Sequence, residues 1–220
     1  MLQTILFDLD GTLLDTAPDL ADALNQVRQE QQLEPLPYDA IRPVVSHGGR
    51  ALIELGFKGE TFQQRHEPLR QRLLEVYLDN IASKTSLFSG MEKVLDYIES
   101  NQMQWGVVTN KPSWLTDPLM KALGLYDRSA CVISGDTTSN RKPHPQPVLH
   151  ACEISNSPVE ACLYIGDAER DIQAGKQAGM KTLVALYGYI QDHDKPSTWG
   201  ADDYVQSPED IIDWIQRQNQ

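Results

Sequence analysis

Basic residues are in short supply in this chain. The 19 Lys and Arg stand against 31 Asp and Glu, leaving a formal net charge of −12 over 220 residues. A surface of that sign repels nucleic acid and anionic lipid, and no block of Lys or Arg offsets it, so neither partner is expected. Cysteine is almost absent. Cys131, Cys152 and Cys162 are an odd number, at spacings that fit neither a zinc motif nor a disulfide framework. They lie in or near apolar runs and read as buried free thiols. The first residues carry no basic region, and Asp8 interrupts the first apolar run. Neither a signal peptide nor a membrane span is therefore expected, and the reading is a cytoplasmic protein. There is no internal repeat and no low-complexity tract.

What remains, at 40% hydrophobic residues, is enough for a buried core. Four short apolar runs, at 4–8, 104–110, 161–167 and 181–186, read as buried parallel strands, with a weaker fifth at 130–136. Helical patterns separate them at 91–100, 114–123, 168–178 and 208–216. Strands alternating with helices predict a Rossmann-like doubly wound α/β sheet. From Thr16 to Asn80 that rhythm stops. Leu20, Ala21, Leu24 and Val27 mark one amphipathic helix, and Leu69, Leu73, Val76 and Tyr77 mark another. Between them, 33–37 and 46–49 read as turns. The expected organisation is a core of residues 1–15 and 84–220 with a helical insertion at 16–83. In an open α/β sheet, ligands bind beyond the carboxyl ends of the strands. Asp8, Asp10, Thr109, Asn110, Asp136 and Asp167 all stand at such ends.

The stretch "ILFDLDGTLLDT" (5–16) sets two carboxylates two residues apart before a glycine turn. Like charges so close call for a cation, a shared chemical task, or a solvated turn. Further along stand "TN" at 109–110, "RKPHP" at 141–145 and "GDAERD" at 166–171. With "DLDGT" (8–12), these match in order the four motifs of the haloacid dehalogenase superfamily, and the likeness spans nearly the whole chain. More narrowly, the chain resembles that family's phosphatases with a helical cap after the first motif.

The resemblance implies a function and a set of roles. Asp8 would attack phosphorus and carry the phosphoryl group, a carboxylate needing no base to activate it. Asp10 would be the general acid and base, aided by a raised pKa beside the Asp8 charge. Gly11 would permit the turn and Thr12 hold the loop. Thr109 and Asn110 would bind phosphoryl oxygens, and Lys142 would neutralise nucleophile and phosphate together. Arg141 is the neighbouring candidate, but the Lys-Pro-x-Pro pattern singles out Lys142. Mg2+ is the implied cofactor, held by Asp8, the Asp10 carbonyl and Asp167, with Asp171 in support. Lys111, next to Asn110, either adds positive potential or is solvated. In the insertion, "RPVVSHGGR" (42–50) is either a helix–helix turn or the loop that reads the substrate through Ser46, His47 and Arg50.

The implied partner is a small phosphorylated metabolite, met by a monomer or homodimer. The chain is similar to phosphoglycolate phosphatases and, through 87–91, 105–112 and 187–202, to the N-acetylmuramic acid 6-phosphate phosphatases of cell-wall recycling. Two rival readings remain: a β-phosphoglucomutase-like phosphotransferase, and a phosphate-binding module without catalysis. Intact Asp8, Asp10 and Lys142 weigh against the second.

Overall fold

The apolar runs become the strands of one sheet. The computed structural model describes residues 1–59 and 64–218, so 60–63 of the expected insertion and 219–220 of the expected core lie outside the described residues. In chain order the strands are β1 (Thr4–Phe7), β2 (Leu14–Asp15), β3 (Ser86–Leu87), β4 (Gln104–Val108), β5 (Cys131–Ile133), β6 (Cys162–Gly166), β7 (Lys181–Ala185) and β8 (Asp203–Val205). Six of them form a sheet in the order β5-β4-β1-β6-β7-β8, all neighbours parallel. The chain steps outward from β1 through β4 to β5, then returns to β6 on the other side. That reversal is the switch point at which ligands bind in doubly wound sheets. Phe7 is in register with Val107 on one side and Ile165 on the other. Asp8, Thr109 and Asp167 therefore leave the sheet at nearly the same level.

The sheet helices are α5 (Met91–Ser100), α6 (Ser113–Ala122), α7 (Gln146–Ile154), α8 (Glu169–Ala178) and α9 (Asp210–Gln218). Two core elements escape a reading of apolar runs. β8 is an edge strand of three residues, of which only Val205 is buried. α7 buries Val148, Ala151 and Cys152, too small a stripe to announce a helix. All three cysteines are free and buried. No helix among the described residues is long and apolar enough to cross a membrane.

Between β2 and β3 the chain is helical: α1 (Ala17–Glu30), α2 (Tyr38–Ile41), a tight 3-10 turn at Arg42–His47, α3 (Gly48–Gly56) and α4 (His66–Asp79). Pro18 is the second residue of α1, and its fixed φ suits a first turn. Its apolar stripe, with Leu24 and Val27, packs with Leu52, Ile53, Leu73 and Tyr77 in a second cluster beside that of the sheet, which Leu115 and Tyr189 join from the sheet side. Each such side chain taken fully out of water contributes about 1.5–3 kcal/mol. The expected turn at 46–49 is in fact a junction. Gly48, at φ +81°, ends the 3-10 turn, and α3 begins there. The two glycines masked a helix start.

Both chain crossings between insertion and sheet lie side by side. β2 and β3 pair antiparallel, Leu14 opposite Leu87 and Asp15 opposite Ser86. Asp19, on α1 and 3% exposed, accepts bonds from Thr85 N (2.9 Å), Thr85 Oγ1 (2.7 Å) and Lys84 N (3.0 Å). Asp19→Ala would strand these donors. It should lower unfolding free energy by about 1–3 kcal/mol, read as a lower urea midpoint at unchanged m-value. An unchanged midpoint would show that water replaces the carboxylate without loss.

Candidate active site

The loop after β1 turns back on itself. Leu13 N–H reaches the Asp8 carbonyl, and Leu14 N–H reaches that of Leu9. Gly11 makes this possible at φ +89°, and a Cβ there would lie 2.1 Å from Asp167 Oδ2. Only glycine lets the loop pass so close to that carboxylate. Thr12 is fully buried against Asp167, its hydroxyl 3.5 Å from Oδ1.

Lys142 is the centre of the site. Its ammonium, with the side chain fully buried, lies 2.8 Å from Asp8 Oδ1 and 2.8 Å from Asp171 Oδ1. It also donates to the Val108 carbonyl (2.9 Å) and Tyr164 Oη (2.8 Å). Leu9 N–H holds Asp8 Oδ1 as well. Asp171 stands in the first turn of α8, where its Oδ2 accepts the Ala168 N–H and caps the helix. Toward Lys142 it makes a charge contact rather than an aligned hydrogen bond. Gly166 leaves it room, for a Cβ there would sit 2.4 Å from Asp171 Cβ.

Asp8, Asp167 and Asp171 are buried, and their oxygens lie within 4.8 Å of one another. Burial and the Asp171 charge push Asp8 up to about 6, although Lys142 pulls the other way. Burial, then Asp8 and Asp171, push Asp167 up to about 7. Carboxylates this crowded are short of positive charge. Oxygen donors alone, strongly anionic and partly preformed, fit a hard divalent cation. Asp8, Asp167 and the Asp10 carbonyl would hold it, while Asp171 is already engaged with Lys142 and Ala168.

Asp10 faces the cleft beside this cluster. Its Oδ1 accepts from Thr16 Oγ1 (2.6 Å) and from Lys111 Nζ (2.8 Å). Lys111 is therefore not solvated: its side chain is 7% exposed and its charge is paired with Asp10, a partner the sequence reading did not foresee. Burial works to lower the Lys111 pKa, but Asp10 and Tyr77, through charge and hydrogen bonding together, carry the net shift upward. Tyr77 of α4 covers the ammonium with its ring, 4.6 Å from the centroid. Thr109 is buried, and its hydroxyl accepts the Lys111 N–H. Asn110 donates to the Lys142 carbonyl and leaves its own buried Oδ1 without a partner, at the cleft wall. Asp136 binds Ser113 N and Oγ at the start of α6.

The cleft encloses about 820 Å3 between sheet and insertion. Of the three residues singled out in the insertion, Ser46 reaches furthest into the core, its hydroxyl 2.7 Å from Asp167 Oδ2. His47 and Arg50 line the cleft but are exposed, and Arg50 pairs with Glu54 at 2.9 Å. Residues the sequence left unremarked also shape the site. Arg70 of α4 lines the cleft, paired with Glu67 three residues away, which in sequence is an ordinary surface pair. Arg170 donates to the Ser46 carbonyl, and its place inside "GDAERD" was a signal. Tyr189 gives its N–H to Asp167 Oδ2 (2.9 Å). Its hydroxyl donates to Asp15 Oδ1 (2.6 Å) and accepts the Ala17 N–H (2.9 Å).

Comparison with known proteins adds independent support. The profile of the haloacid dehalogenase-like hydrolases matches residues 5–185. An N-acetylmuramic acid 6-phosphate phosphatase of Pseudomonas putida is 42% identical over 94% of this chain and 93% of its own. A phosphoglycolate phosphatase of Xanthomonas campestris is 40% identical over 94% and 93%. Among solved structures, a predicted phosphoglycolate phosphatase from Haemophilus somnus superimposes with a TM-score of 0.85 at 23% identity, covering 97% of this chain and 98% of its own. That last likeness speaks for the fold alone.

The raised carboxylates have a consequence for stability. Unfolded, Asp8 and Asp167 titrate near 3.8, and folded near 6 and 7. Between about pH 4 and 7 the folded protein thus holds the extra protons, and its stability falls as pH rises through that window. A divalent cation on the same oxygens relieves the repulsion. Mg2+ should therefore raise Tm more at about pH 8 than at about pH 5. Equal shifts at both would place the bound ion elsewhere.

Proposed function

The chain belongs to the haloacid dehalogenase-like hydrolases and is a phosphoric monoester hydrolase; from that premise we propose that it cleaves a carboxylate-bearing sugar phosphate through a phosphorylated Asp8, with Mg2+. The observation that carries this reading is the buried Lys142 bridging Asp8 and Asp171, with Asp167 in the same buried carboxylate cluster.

Asp8 attacks phosphorus, the ester bond breaks, and the leaving oxygen takes a proton from Asp10. The aspartyl phosphate is then attacked by a water whose proton returns to Asp10, releasing phosphate and restoring Asp8. Lys142 offsets the charge of nucleophile and phosphoryl group at one point, in a low-dielectric setting where that charge counts most. The Thr109 and Asn110 turn supplies neutral donors to the remaining oxygens. Lys111 and Thr16 hold the Asp10 carboxyl at the cleft. A divalent cation, when bound by Asp8, Asp167 and the Asp10 carbonyl, supplies the positive charge that lets an acidic pocket accept an anion.

The motif residues read only phosphate, so the leaving group is read by the insertion. Relatives at about 40% identity carry two names, N-acetylmuramic acid 6-phosphate phosphatase and phosphoglycolate phosphatase. Both substrates bear a carboxylate, and Arg50 and Arg70 line the same cleft as Lys142. A cleft of about 820 Å3 is roomy for a two-carbon acid and suits an acylated amino sugar. We therefore favour N-acetylmuramic acid 6-phosphate over 2-phosphoglycolate.

Asp8→Asn should lower kcat by at least about four orders of magnitude while the protein keeps its fold by circular dichroism. Residual turnover near the wild-type rate would reject the covalent route. Arg50→Ala should lower kcat/KM for the carboxylate-bearing substrates by roughly ten- to a hundredfold, the loss of a charged hydrogen bond of about 1.5–3 kcal/mol. p-Nitrophenyl phosphate, which has no carboxylate, should change far less. Equal losses on both would mean that Arg50 serves the phosphate or the insertion's own structure.

A further inference from the structure

The Ser46 hydroxyl does not point to the end of the cleft where a leaving group would lie. It lies 2.7 Å from Asp167 Oδ2 and 3.3 Å from the Asp10 carbonyl oxygen. The first belongs to the buried carboxylate cluster, and the second is the Asp10 carbonyl that would join it around a divalent cation. In an octahedron with metal–oxygen distances of about 2.1 Å, adjacent oxygens stand about 3 Å apart. The Ser46 oxygen thus stands to both of them as a neighbouring corner would. Ser46 comes from the insertion, not from the sheet. Its backbone is fixed against the core by Arg170, which donates to its carbonyl, and by Arg42, which donates to the Tyr187 and Gly188 carbonyls at 3.2 Å each.

We propose that Ser46 is a metal-site residue delivered by the insertion, so that cation binding and closure of the insertion over the cleft favour each other. The proposal rests on the metal-dependent reading above. The Ser46 oxygen takes a corner beside Asp167 and the Asp10 carbonyl, either on the ion or in the place of one of its waters. When the insertion swings away on the β2–β3 crossings, that corner is left to solvent. Linkage is reciprocal: whatever factor Ser46 adds to cation affinity, the cation adds to the closed population. Closure would then be tied to a loaded site, with water excluded only when the charge needed for the reaction is in place.

The test is a calorimetric titration of the metal-free protein with Mg2+, in wild type, Ser46→Ala, Ser46→Thr and Asp167→Asn. Hydrogen exchange at residues 44–48 is followed with and without the ion. Ser46→Ala should bind Mg2+ about tenfold more weakly, the usual scale for removing a supporting group around a metal. Mg2+ should slow exchange at 44–48 in wild type and not in Ser46→Ala. Ser46→Thr, which keeps the hydroxyl, should restore most of both effects and guards against a folding defect. Equal or tighter binding by Ser46→Ala, with wild-type binding abolished by Asp167→Asn, would overturn the proposal and leave the metal reading standing, since the hydroxyl would then only compete with the ion. Binding that survives Asp167→Asn would instead overturn the metal reading itself, and this proposal with it.

Discussion

A lysine ammonium with no exposure to water, held between two carboxylates, is costly to build. Each ion removed from water carries a penalty of several kcal/mol, recovered only by close geometry and complete hydrogen bonding. Here Lys142 meets Asp8, Asp171, the Val108 carbonyl and Tyr164 Oη, all within 2.9 Å. Those partners come from the ends of β1 and β4, the middle of β6 and the first turn of α8. Strand register, the bare Gly166 and the capped start of α8 all serve to hold this one charge in place. A third carboxylate, Asp167, leaves the cluster with more negative charge than Lys142 offsets, and that excess makes the site receptive to a cation.

The same constraint explains how a chain of net charge −12 can receive an anion. Its overall field is unfavourable, so attraction must be local. Lys111, Lys142, Arg50, Arg70, Arg141 and Arg170 all line the cleft. Most are paired with carboxylates: Lys111 with Asp10, Arg50 with Glu54 and Arg70 with Glu67. Exposed pairs of the last two kinds hold little energy, so an incoming anion can exchange them at low cost. The buried Lys111 pair is different, because Tyr77 of the insertion lies over it and both would be hydrated together if the insertion moved away.

The insertion has a core of its own and joins the sheet side through two adjacent crossings. Sheet-side Leu115 and Tyr189 pack into that core, and the polar contacts across the cleft gather at the site: Ser46 on Asp167, Arg42 on the 187–188 turn, and Tyr189 on Ala17. Tyr189 touches both the crossing at Asp15 and Asp167, which ties the geometry of the crossings to that of the carboxylate cluster.

Much of this was legible in the residues by themselves. The apolar runs announced five strands of the parallel sheet, and the polar residues at their ends announced the edge where chemistry would gather, because a parallel strand is buried on both faces and must change character where it leaves the sheet. "DLDGT", Lys142 and "GDAERD" are local patterns whose loop geometry is set by their own glycines and cap, so their meaning survives reading one segment at a time. The contacts made across the cleft were not legible. Lys111 and Asp10 are 101 residues apart, and Ser46 and Asp167 are 121 apart. No local period or propensity encodes which insertion residue meets which strand end. Only the packing of the helical insertion over the switch point decided those pairs, since a hydroxyl or ammonium acquires its partner from whatever the folded core places within 3 Å of it.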